Sequence, residues 1–485
     1  MSYQFRTEPF AHQREVFERS NAMTAFAGFW EQGTGKTKFA LDTAANLFKE
    51  GEIDGMLVIA PGAVHREWLG EDALLKHFPE DLLEQTRGFS FLSEKAATNW
   101  HAAAVKDLLG SRDQPHVMTM SYSGFMTKRG KKAAWDMLRT RRVLMVLDES
   151  TEIKSPGAKR TISMVAAGRY PAYKRILDGT PVSNSPFDVY APIRFLDSQY
   201  WKRHAIGTAG AFRHTFGVYA QTKAGDEFPT GDYKNLDVLH EWIQPISSRV
   251  LKKDVLDLPP KVYNTVRFDM TGEQRRIYDE LKKDYRTILE SGEEITAELT
   301  IVRQLRLQQV ACGYIPTPIE EGQSAQPVHL IGNRNPRLET LVELLDFTPH
   351  PAIVWARFQL DIDQIMKRLG NRAVRLDGRV DPEGRETAKA RFRAGDAQFL
   401  ISNPAVGGVG LTLNQAKSMF YYSNNFKLRE RLQSEDRNHR IGQDVSVGIT
   451  DLIANETIDD HIVKSLRRKY EVACEVTGDE VLSWL

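Results

Sequence analysis

The sequence predicts an α/β protein with two domains that each contain a parallel β-sheet. Short apolar segments alternate with helical segments over residues 23–181, and a second series of the same kind covers residues 352–422. Fully apolar strands separated by helices are typical of parallel sheets that helices cover on both faces. A chain of 485 residues is also long for one hydrophobic core. We therefore expect two or three domains.

Composition excludes several classes of protein. The chain has no run of about 18 apolar residues, so we expect no membrane-spanning helix and no membrane partner. Its N-terminus lacks the basic and then apolar pattern of a secretion signal. Cys312 and Cys474 do not have the spacing of zinc ligands, so we expect buried thiols in a reducing intracellular compartment. Because the net charge is only +1, binding to nucleic acid would need local basic patches.

The first apolar strand leads into a glycine-rich turn, and a segment with helical spacing follows it. The turn, Trp30–Thr37, reads Trp-Glu-Gln-Gly-Thr-Gly-Lys-Thr. In a phosphate-binding loop, Gly33 and Gly35 would let backbone N–H groups face phosphate oxygens. Lys36 would supply a charge to the β- and γ-phosphates, and Thr37 a hydroxyl for Mg²⁺. The alternative is an ordinary glycine turn, but the intact Gly-Thr-Gly-Lys-Thr favours a nucleotide site, although a tryptophan replaces the first glycine of the complete motif.

Just before this strand, Phe10 and Gln13 allow two interpretations. An aromatic ring and an amide at this place could stack on an adenine and hydrogen-bond it. They could equally be the first residues of a solvated helix. The residues alone leave both open.

The apolar segment 143–147 ends in two adjacent carboxylates, Asp148 and Glu149. Buried charges need partners, and the carboxyl ends of parallel strands are where α/β proteins bind ligands. Asp148 would hold Mg²⁺, usually through water, and Glu149 would polarise an attacking water. An acidic pair after a strand is a weak signal alone, but here it follows a phosphate loop in the same strand series.

Other segments complete the first domain. We predict strands over 56–61, 117–122 and 175–181, and a helix over 64–75 with Trp68 on its apolar side. Basic residues begin at Lys128 and continue to Arg142. Such a cluster is usually a solvated face, and contact with a phosphate backbone is the alternative.

Between the two series the pattern changes. Residues 201–244 indicate a helical insertion, and Leu258-Pro259-Pro260-Lys261 indicates a stiff link. Helices are predicted over 271–289 and 298–310, and a polar, mobile loop over 320–327.

The second series contains predicted strands over 352–356, 373–378, 398–402 and 418–422, without a phosphate loop of its own. Beyond it, Arg437 and Arg440 have helical i,i+3 spacing, which would place both on one face. Such a pair could be an arginine finger that reaches a γ-phosphate. An ion-paired helix face is the alternative, and Glu435 and Asp436 favour it locally.

The order of these motifs resembles that of the superfamily-two helicases, and within them the Swi/Snf-type ATP-dependent DNA translocases. The resemblance covers nearly the whole chain. Gly33–Thr37, Leu57–Pro61 with Trp68, and Asp148-Glu149 match the family's motifs I, Ia and II. Gly179-Thr180-Pro181 with Asn184, Ile353–Phe358, Gly407–Leu413 and Gln433–Gln443 match motifs III to VI. The Leu-Pro-Pro-Lys link and the ending Arg-Asn-His-Arg-Ile-Gly-Gln narrow the resemblance to the Swi/Snf type.

The resemblance implies two RecA-like parallel-sheet lobes that flank an ATP cleft, with helical insertions between them. The implied domains are an ATP-binding lobe (1–195), a helical protrusion and linker (196–262), a second protrusion (263–350) and a C-terminal lobe (351–485). The implied catalytic residues are Lys36, Asp148, Glu149, Arg437 and Arg440, with Thr37 and Asp148 on Mg²⁺. Nucleotide contacts would come from Phe10, Gln13, Gln32, Gly33, Thr34, Gly35, Lys36, Thr37, Gly408, Gly410 and Gln433.

The resemblance also implies a function, an ATPase that moves along double-stranded DNA and grips its phosphate backbone. Candidate DNA contacts are Thr119, Tyr122, Lys128, Thr180, Asn184 and Thr412. A strand-separating DNA or RNA helicase and an inactive ATP-binding scaffold are the alternatives. The compartment would be cytoplasmic, or nuclear in a eukaryote, and protein partners are not indicated.

Three positions depart from the family's pattern. Trp30 replaces a small residue before the phosphate loop, Thr151 stands where histidine is common, and Asp178 stands where threonine or serine is common. The departures at Thr151 and Asp178 bear on how ATP hydrolysis is coupled to DNA, and not on hydrolysis itself.

Overall fold

A computed structural model describes residues 3–62, 64–110, 114–221, 225–290, 297–316, 328–407 and 413–481. The chain divides into two compact units. Unit 1 comprises Met1–Asp257 and Lys469–Val481, and unit 2 comprises Leu258–Arg468.

Unit 1 contains a seven-stranded sheet with the order β3-β4-β2-β5-β6-β1-β9, in which every pairing is parallel. Its strands are β1 (Ala25–Trp30), β2 (Gly55–Ala60), β3 (Arg87–Phe91), β4 (His116–Ser121), β5 (Val143–Asp148), β6 (Tyr173–Leu177) and β9 (Ser247–Val250). An antiparallel hairpin, β7 (Gly217–Gln221) and β8 (Glu227–Tyr233), lies apart from this sheet.

Helices cover both faces of this sheet, because its central strands are apolar on both sides. β2, β4 and β5 are buried along their whole length, and two separate apolar cores flank the sheet. The helices are α1 (Ala11–Ser20), α2 (Lys36–Lys49), α3 (Leu74–His77), α4 (Glu80–Leu83), α5 (Asn99–Gly110), α6 (Tyr122–Met126), α7 (Lys128–Thr140), α8 (Lys159–Ala167), α9 (Tyr190–Leu196), α10 (Tyr200–Arg203), α11 (Ala209–Phe216), α12 (Leu236–Ile243) and α13 (Lys252–Val255).

Unit 2 contains a six-stranded parallel sheet with the order β10-β17-β16-β13-β15-β14. Its strands are β10 (Lys261–Phe268), β13 (Ala352–Trp355), β14 (Ala373–Leu376), β15 (Phe399–Ser402), β16 (Ser418–Tyr421) and β17 (Val447–Ala454), and β11 (Tyr314–Pro316) pairs separately with β12 (Val328–Leu330). The helices are α14 (Gly272–Glu290), α15 (Ala297–Ala311), α16 (Pro336–Asp346), α17 (Gln359–Leu369), α18 (Pro382–Ala394), α19 (Pro404–Gly407), α20 (Leu428–Glu435) and α21 (Ile458–Thr477), the last part of which belongs to unit 1.

The predicted fold class is confirmed, because both units are built on parallel sheets with helices between the strands. The buried thiols are confirmed as well, since Cys312 and Cys474 are both free and buried. Among the described residues, no helix combines the length and the apolar character that crossing a bilayer requires. The predicted loop at 320–327 lies outside the described residues.

The predicted helix over 64–75 is wrong. This segment contains a 3₁₀ turn at Glu67–Leu69, which ends where Gly70 takes an extended conformation, and α3 begins only at Leu74. The insertion at 201–244 is partly helical, but it also contains the β7–β8 hairpin. The link between the two strand series is flanked by strands as well, since β9 is an edge of the first sheet and β10 an edge of the second.

Candidate active site

The order of strands in unit 1 brings three candidate loops together. β5, β6 and β1 are neighbours in the sheet and run parallel, so their carboxyl ends lie at the same edge. The loops that follow these strands contain the glycine turn after Trp30, the Asp148-Glu149 pair and Asp178. This edge is the place where open α/β sheets bind ligands.

The turn after β1 has the backbone of a phosphate loop. Gly33 and Gly35 adopt φ values of 84° and 89°, a left-handed conformation that favours glycine. Gly35 directly precedes α2, so the N-terminal N–H groups of this helix face the turn. The Lys36 ammonium donates to the carbonyl oxygens of Trp30 at 2.7 Å and Glu31 at 3.2 Å. These bonds hold the lysine over the turn, where a phosphate would replace the carbonyl groups as its partner.

Gln13 in α1 is buried and supports the turn. Its amide nitrogen donates to the carbonyl oxygens of Thr34 at 3.3 Å and Gly35 at 3.4 Å, and its amide oxygen accepts from the Phe10 N–H at 2.9 Å. A Cβ atom on Gly35 would lie 1.8 Å from this amide nitrogen and would displace it, and the φ of 89° favours glycine at this position as well. Phe10 itself is 46% exposed, which leaves its ring accessible to a base.

Trp30 has a structural role that the sequence did not indicate. Its side chain is fully buried under the turn and packs against Phe39 of α2, with ring centroids 4.9 Å apart. Its indole N–H donates to the Ser248 hydroxyl in β9 at 2.7 Å. The tryptophan therefore fixes the glycine turn to the edge strand next to it.

The two carboxylates at the end of β5 have different surroundings. Asp148 is buried, accepts from the Trp68 indole N–H at 3.2 Å and has its backbone carbonyl bonded to the Tyr122 hydroxyl at 2.9 Å. Glu149 is half-buried, and the Gln32 amide donates to it at 3.4 Å. Its φ of 55° is unusual for a residue with a side chain. Such backbone strain is common at functional sites.

Burial raises the pKa of Asp148 to about 7, and the Glu149 carboxylate adds to this effect while the Lys36 ammonium opposes it. A divalent cation would also offset the free-energy cost of burying the ionised Asp148 carboxylate. One carboxylate and the Thr37 hydroxyl, completed by phosphate oxygens and water, is a donor set that Mg²⁺ accepts. No group of three or more His, Cys, Asp or Glu side chains that could hold a metal ion occurs in the described part of the chain.

Asp178 joins the loop after β5 to the loop after β6. Its buried carboxylate accepts from the Thr151 N–H at 2.7 Å, from the Ser150 hydroxyl at 3.3 Å and from the Thr180 N–H at 2.9 Å. Two of the three departures from the family's pattern thus meet, but Asp178 accepts from the backbone N–H of Thr151 and not from its hydroxyl. Together they hold the segment that follows Glu149.

Replacing Asp178 with alanine leaves these buried donors without an acceptor and should loosen the loop that holds Glu149. Each such loss costs about 1–3 kcal/mol. We expect the kcat for ATP hydrolysis to fall tenfold or more (roughly 1.4 kcal/mol per factor of ten), with a smaller change in the KM for ATP. Steady-state kinetics test this, and Asp136→Ala, which removes an exposed carboxylate paired with Lys132, is the control. A kcat within about twofold of the wild type would contradict the expectation.

In unit 2 the two arginines do not share a helical face, so that prediction is wrong. α20 ends at Glu435, and Arg437 and Arg440 lie in the turns that follow. Arg437 is buried, and its carbonyl oxygen accepts from the Leu413 N–H at 3.0 Å. Arg440 is half-buried, and its Nε donates to the Asp436 carbonyl oxygen at 2.8 Å.

The remaining residues predicted to contact DNA or nucleotide differ in how far they are exposed. Thr119 and Tyr122 are buried, with the Thr119 hydroxyl bonded to Ser90 at 2.8 Å, so neither side chain reaches the surface. Lys128 and Asn184 are exposed and Thr180 is half-buried. Gln433 is half-buried on α20. Gly408, Gly410 and Thr412 lie outside the described residues.

Comparison with known proteins decides the family. Residues 29–313, more than half of the chain, match the SNF2-related domain. The chain belongs to the SNF2-related family. Residues 336–442 of this SNF2-related chain also match the helicase conserved C-terminal domain.

The chain is also similar to curated relatives and to a solved structure. The chain is 25% identical over 466 residues to the transcription regulatory protein SNF2 of Saccharomyces cerevisiae, a match that covers 91% of this chain and 26% of the relative. It is 24% identical over 479 residues to the CHD3-type chromatin-remodeling factor PICKLE of Arabidopsis thaliana, covering 92% and 32%. The SWI2/SNF2 ATPase core of Sulfolobus solfataricus, solved in complex with dsDNA, is 20% identical, with a TM-score of 0.42 and coverage of 99% and 95%. The chain thus spans about a third or less of these two curated relatives.

Proposed function

We propose that this chain is an ATP-dependent motor that translocates on double-stranded DNA. The observation that carries the proposal is the arrangement in unit 1, where Lys36 and the Asp148-Glu149 pair follow strands at one edge of a parallel sheet in a SNF2-related chain. Phosphoryl transfer needs a cation on the β- and γ-phosphates, a ligand for Mg²⁺ and a group that orients the attacking water. These three residues are chemically suited to the three roles.

In the proposed reaction, the N–H groups of the glycine turn and the Lys36 ammonium bind the phosphates. Thr37 and Asp148 would hold Mg²⁺, which neutralises developing charge when it is bound. Glu149 orients the attacking water and accepts its proton. Phe10 contacts the adenine, and Gln13, whose amide is bonded to Thr34, Gly35 and Phe10, supports the turn. Arg437 and Arg440 of unit 2 supply positive charge to the transition state, so hydrolysis requires that the two units close on bound ATP.

Contact with DNA is proposed through its phosphates. Lys128, Thr180 and Asn184 have side chains that reach the surface of unit 1, and they remain the proposed contacts. Several relatives have names that refer to chromatin remodeling, which fits a substrate that contains duplex DNA. Because phosphate contacts do not distinguish bases, we expect binding that weakens with salt and depends little on sequence.

The test of this function measures ATP hydrolysis with and without blunt duplex DNA, and then displacement of a third strand from a triplex. We expect duplex DNA to stimulate hydrolysis, and we expect ATP to drive release of the third strand while a forked duplex stays paired. Unwinding of the fork would favour the strand-separating helicase. Nucleotide binding without hydrolysis under either condition would favour the inactive scaffold, and equal stimulation by RNA would contradict the preference for duplex DNA.

A further inference from the structure

Unit 2 contains a buried cluster of charged residues directly before the two arginines. Glu435, the last residue of α20, is fully buried. Its carboxylate accepts hydrogen bonds from the Lys261 ammonium at 2.9 Å, the Tyr263 hydroxyl at 2.8 Å and the Arg431 Nε at 2.7 Å. Lys261 and Tyr263 belong to β10, so the carboxylate connects the end of α20 to this edge strand.

Arg431 anchors the same cluster to the sheet of unit 2. Its guanidinium donates to both carboxylate oxygens of Asp451 in β17, at 2.6 Å and 3.0 Å. It also stacks over the Tyr421 ring of β16 at 3.6 Å from the ring centroid. α20 is thereby fixed through charges rather than through apolar packing alone.

The link segment Leu258–Lys261 makes further contacts with the turn that contains the arginines. The His439 Nε2 lies 2.8 Å from the Pro259 carbonyl oxygen, and the Lys261 ammonium lies 3.5 Å from the Asp436 carboxylate. The Asp436 carbonyl oxygen in turn accepts from Arg440. Residues before Arg437 and after it are therefore held by the same link segment.

Lys261 and Glu435 keep each other ionised although Glu435 is fully buried and Lys261 mostly buried. Burial by itself would lower the pKa of Lys261, but the carboxylates of Glu435 and Asp436 outweigh it and hold this pKa well above its ordinary value. Burial would raise the pKa of Glu435, but Lys261 and Arg431 keep it below its ordinary value. Both groups are therefore charged, and buried ion pairs of this kind are often no more stabilising than apolar residues of the same volume. What a charged and hydrogen-bonded pair supplies is a defined geometry.

We propose that Lys261 is a positioning residue for ATP hydrolysis, because its ion pair with Glu435 holds the turn that presents Arg437 and Arg440. The inference rests on the proposed function. An arginine that acts on a transition state must be placed accurately, since a shift of about 1 Å can cost about a hundredfold in rate. In this geometry the residue that holds the arginines in place is Lys261, the first residue of β10 at the end of the Leu-Pro-Pro-Lys link.

The test is Lys261→Met, which keeps most of the side-chain volume and removes the charge. We expect kcat for ATP hydrolysis to fall by about tenfold to a hundredfold. The KM for ATP should change by less than about threefold, because the arginines act mainly in the transition state. Lys261→Arg should restore most of kcat, since a guanidinium can bind the same carboxylate. The matched control is Lys427→Met, which removes an exposed lysine that directly precedes α20 and pairs with Glu430 of this helix, and it should leave both constants unchanged.

A merely structural role predicts a different result. In that case Lys261→Met would lower the midpoint of thermal unfolding and reduce the active fraction, and the active-site titre would account for the whole loss of rate. If Lys261→Met does not fold, the double variant Lys261→Met/Glu435→Gln removes both charges and should fold, with kcat still reduced. A kcat within about twofold of the wild type in either folded variant overturns the inference. Absence of hydrolysis in the wild-type chain overturns the proposed function instead, so the two failures are distinguishable.

Discussion

Glu149→Gln is expected to lower the rate of ATP hydrolysis by about 10²–10⁴-fold, the usual effect of removing a general base. Glutamine keeps the shape of the side chain but cannot accept a proton from water. Glu149 has a left-handed backbone and accepts a hydrogen bond from Gln32, and it directly follows the buried Asp148. No other residue is proposed to accept the proton of the attacking water. The measurement is single-turnover hydrolysis with saturating ATP and duplex DNA.

Measurements of ATP binding should distinguish Glu149→Gln from Lys36→Ala, which removes the lysine proposed to contact the phosphates. Glu149→Gln should bind a fluorescent ATP analogue about as well as the wild type, whereas Lys36→Ala should lose both binding and hydrolysis. Glu152→Gln is the matched control, because Glu152 is a neighbouring acid that pairs with Arg160. If Glu149→Gln bound ATP normally and kept more than about a tenth of the rate, Glu149 would not be the base.

The sequence predicted the parts of this site that depend on local pattern. The strand, glycine turn and helix around Lys36 are contiguous, and so are the apolar strand and acidic pair at Asp148. Contacts across the fold have no such signal. The Trp68–Asp148 hydrogen bond joins residues 80 positions apart, and the Asp178–Thr151 bond joins residues 27 apart. The unusual identity of Asp178 marked this position, but only the structure shows that its carboxylate accepts from the backbone N–H of Thr151.

Two of the predictions failed, each for its own physical reason. Arg437 and Arg440 have helical spacing, but tertiary bonds end the helix before them. The Gln443 amide donates to the Asn414, Ala416 and Asn438 carbonyl oxygens, which folds the segment back on itself. β10 was missed because it is an edge strand with a mixed pattern of buried and exposed residues. Edge strands are not apolar on both faces, so they lack the continuous apolar run that revealed the central strands.

The second large effect concerns Asp361, a buried carboxylate near the start of α17 in unit 2. One of its oxygens, Oδ2, accepts from the Ser423 hydroxyl at 2.9 Å. Burial raises the pKa of Asp361 to about 7, although the Ser423 bond and the Arg337 guanidinium act in the opposite direction. Because this pKa is higher in the folded state, the folded state binds the proton more tightly. Its contribution to stability is therefore complete below about pH 4 and is lost as the pH rises through about 7.

Asp361→Asn cannot ionise and keeps an acceptor for Ser423, so it should remove this dependence on pH. The unfolding free energy of the variant should exceed that of the wild type. We expect this difference to increase by about 2–3 kcal/mol between pH 5 and pH 8, since one pKa unit corresponds to about 1.4 kcal/mol. Hydrogen exchange of peptides from β13 and β16 in urea, corrected for the intrinsic effect of pH, reports on unit 2 alone. The control is Asp363→Asn on the same helix, whose partly exposed pairs with Arg375 and Arg379 should change the unfolding free energy by less than about 1 kcal/mol.

A difference between Asp361→Asn and wild type that stays constant over this pH range would mean that the carboxyl does not titrate there. The buried position of Asp361 would then have to be compensated by Arg337 and Ser423 more strongly than their geometry indicates. Arg337 is itself engaged, because it donates to the Ala311 and Leu452 carbonyl oxygens and pairs with Asp459. Since its hydrogen bonds go to these groups, it acts on Asp361 only through its charge, and we expect the cost of burying the ionised carboxyl to prevail.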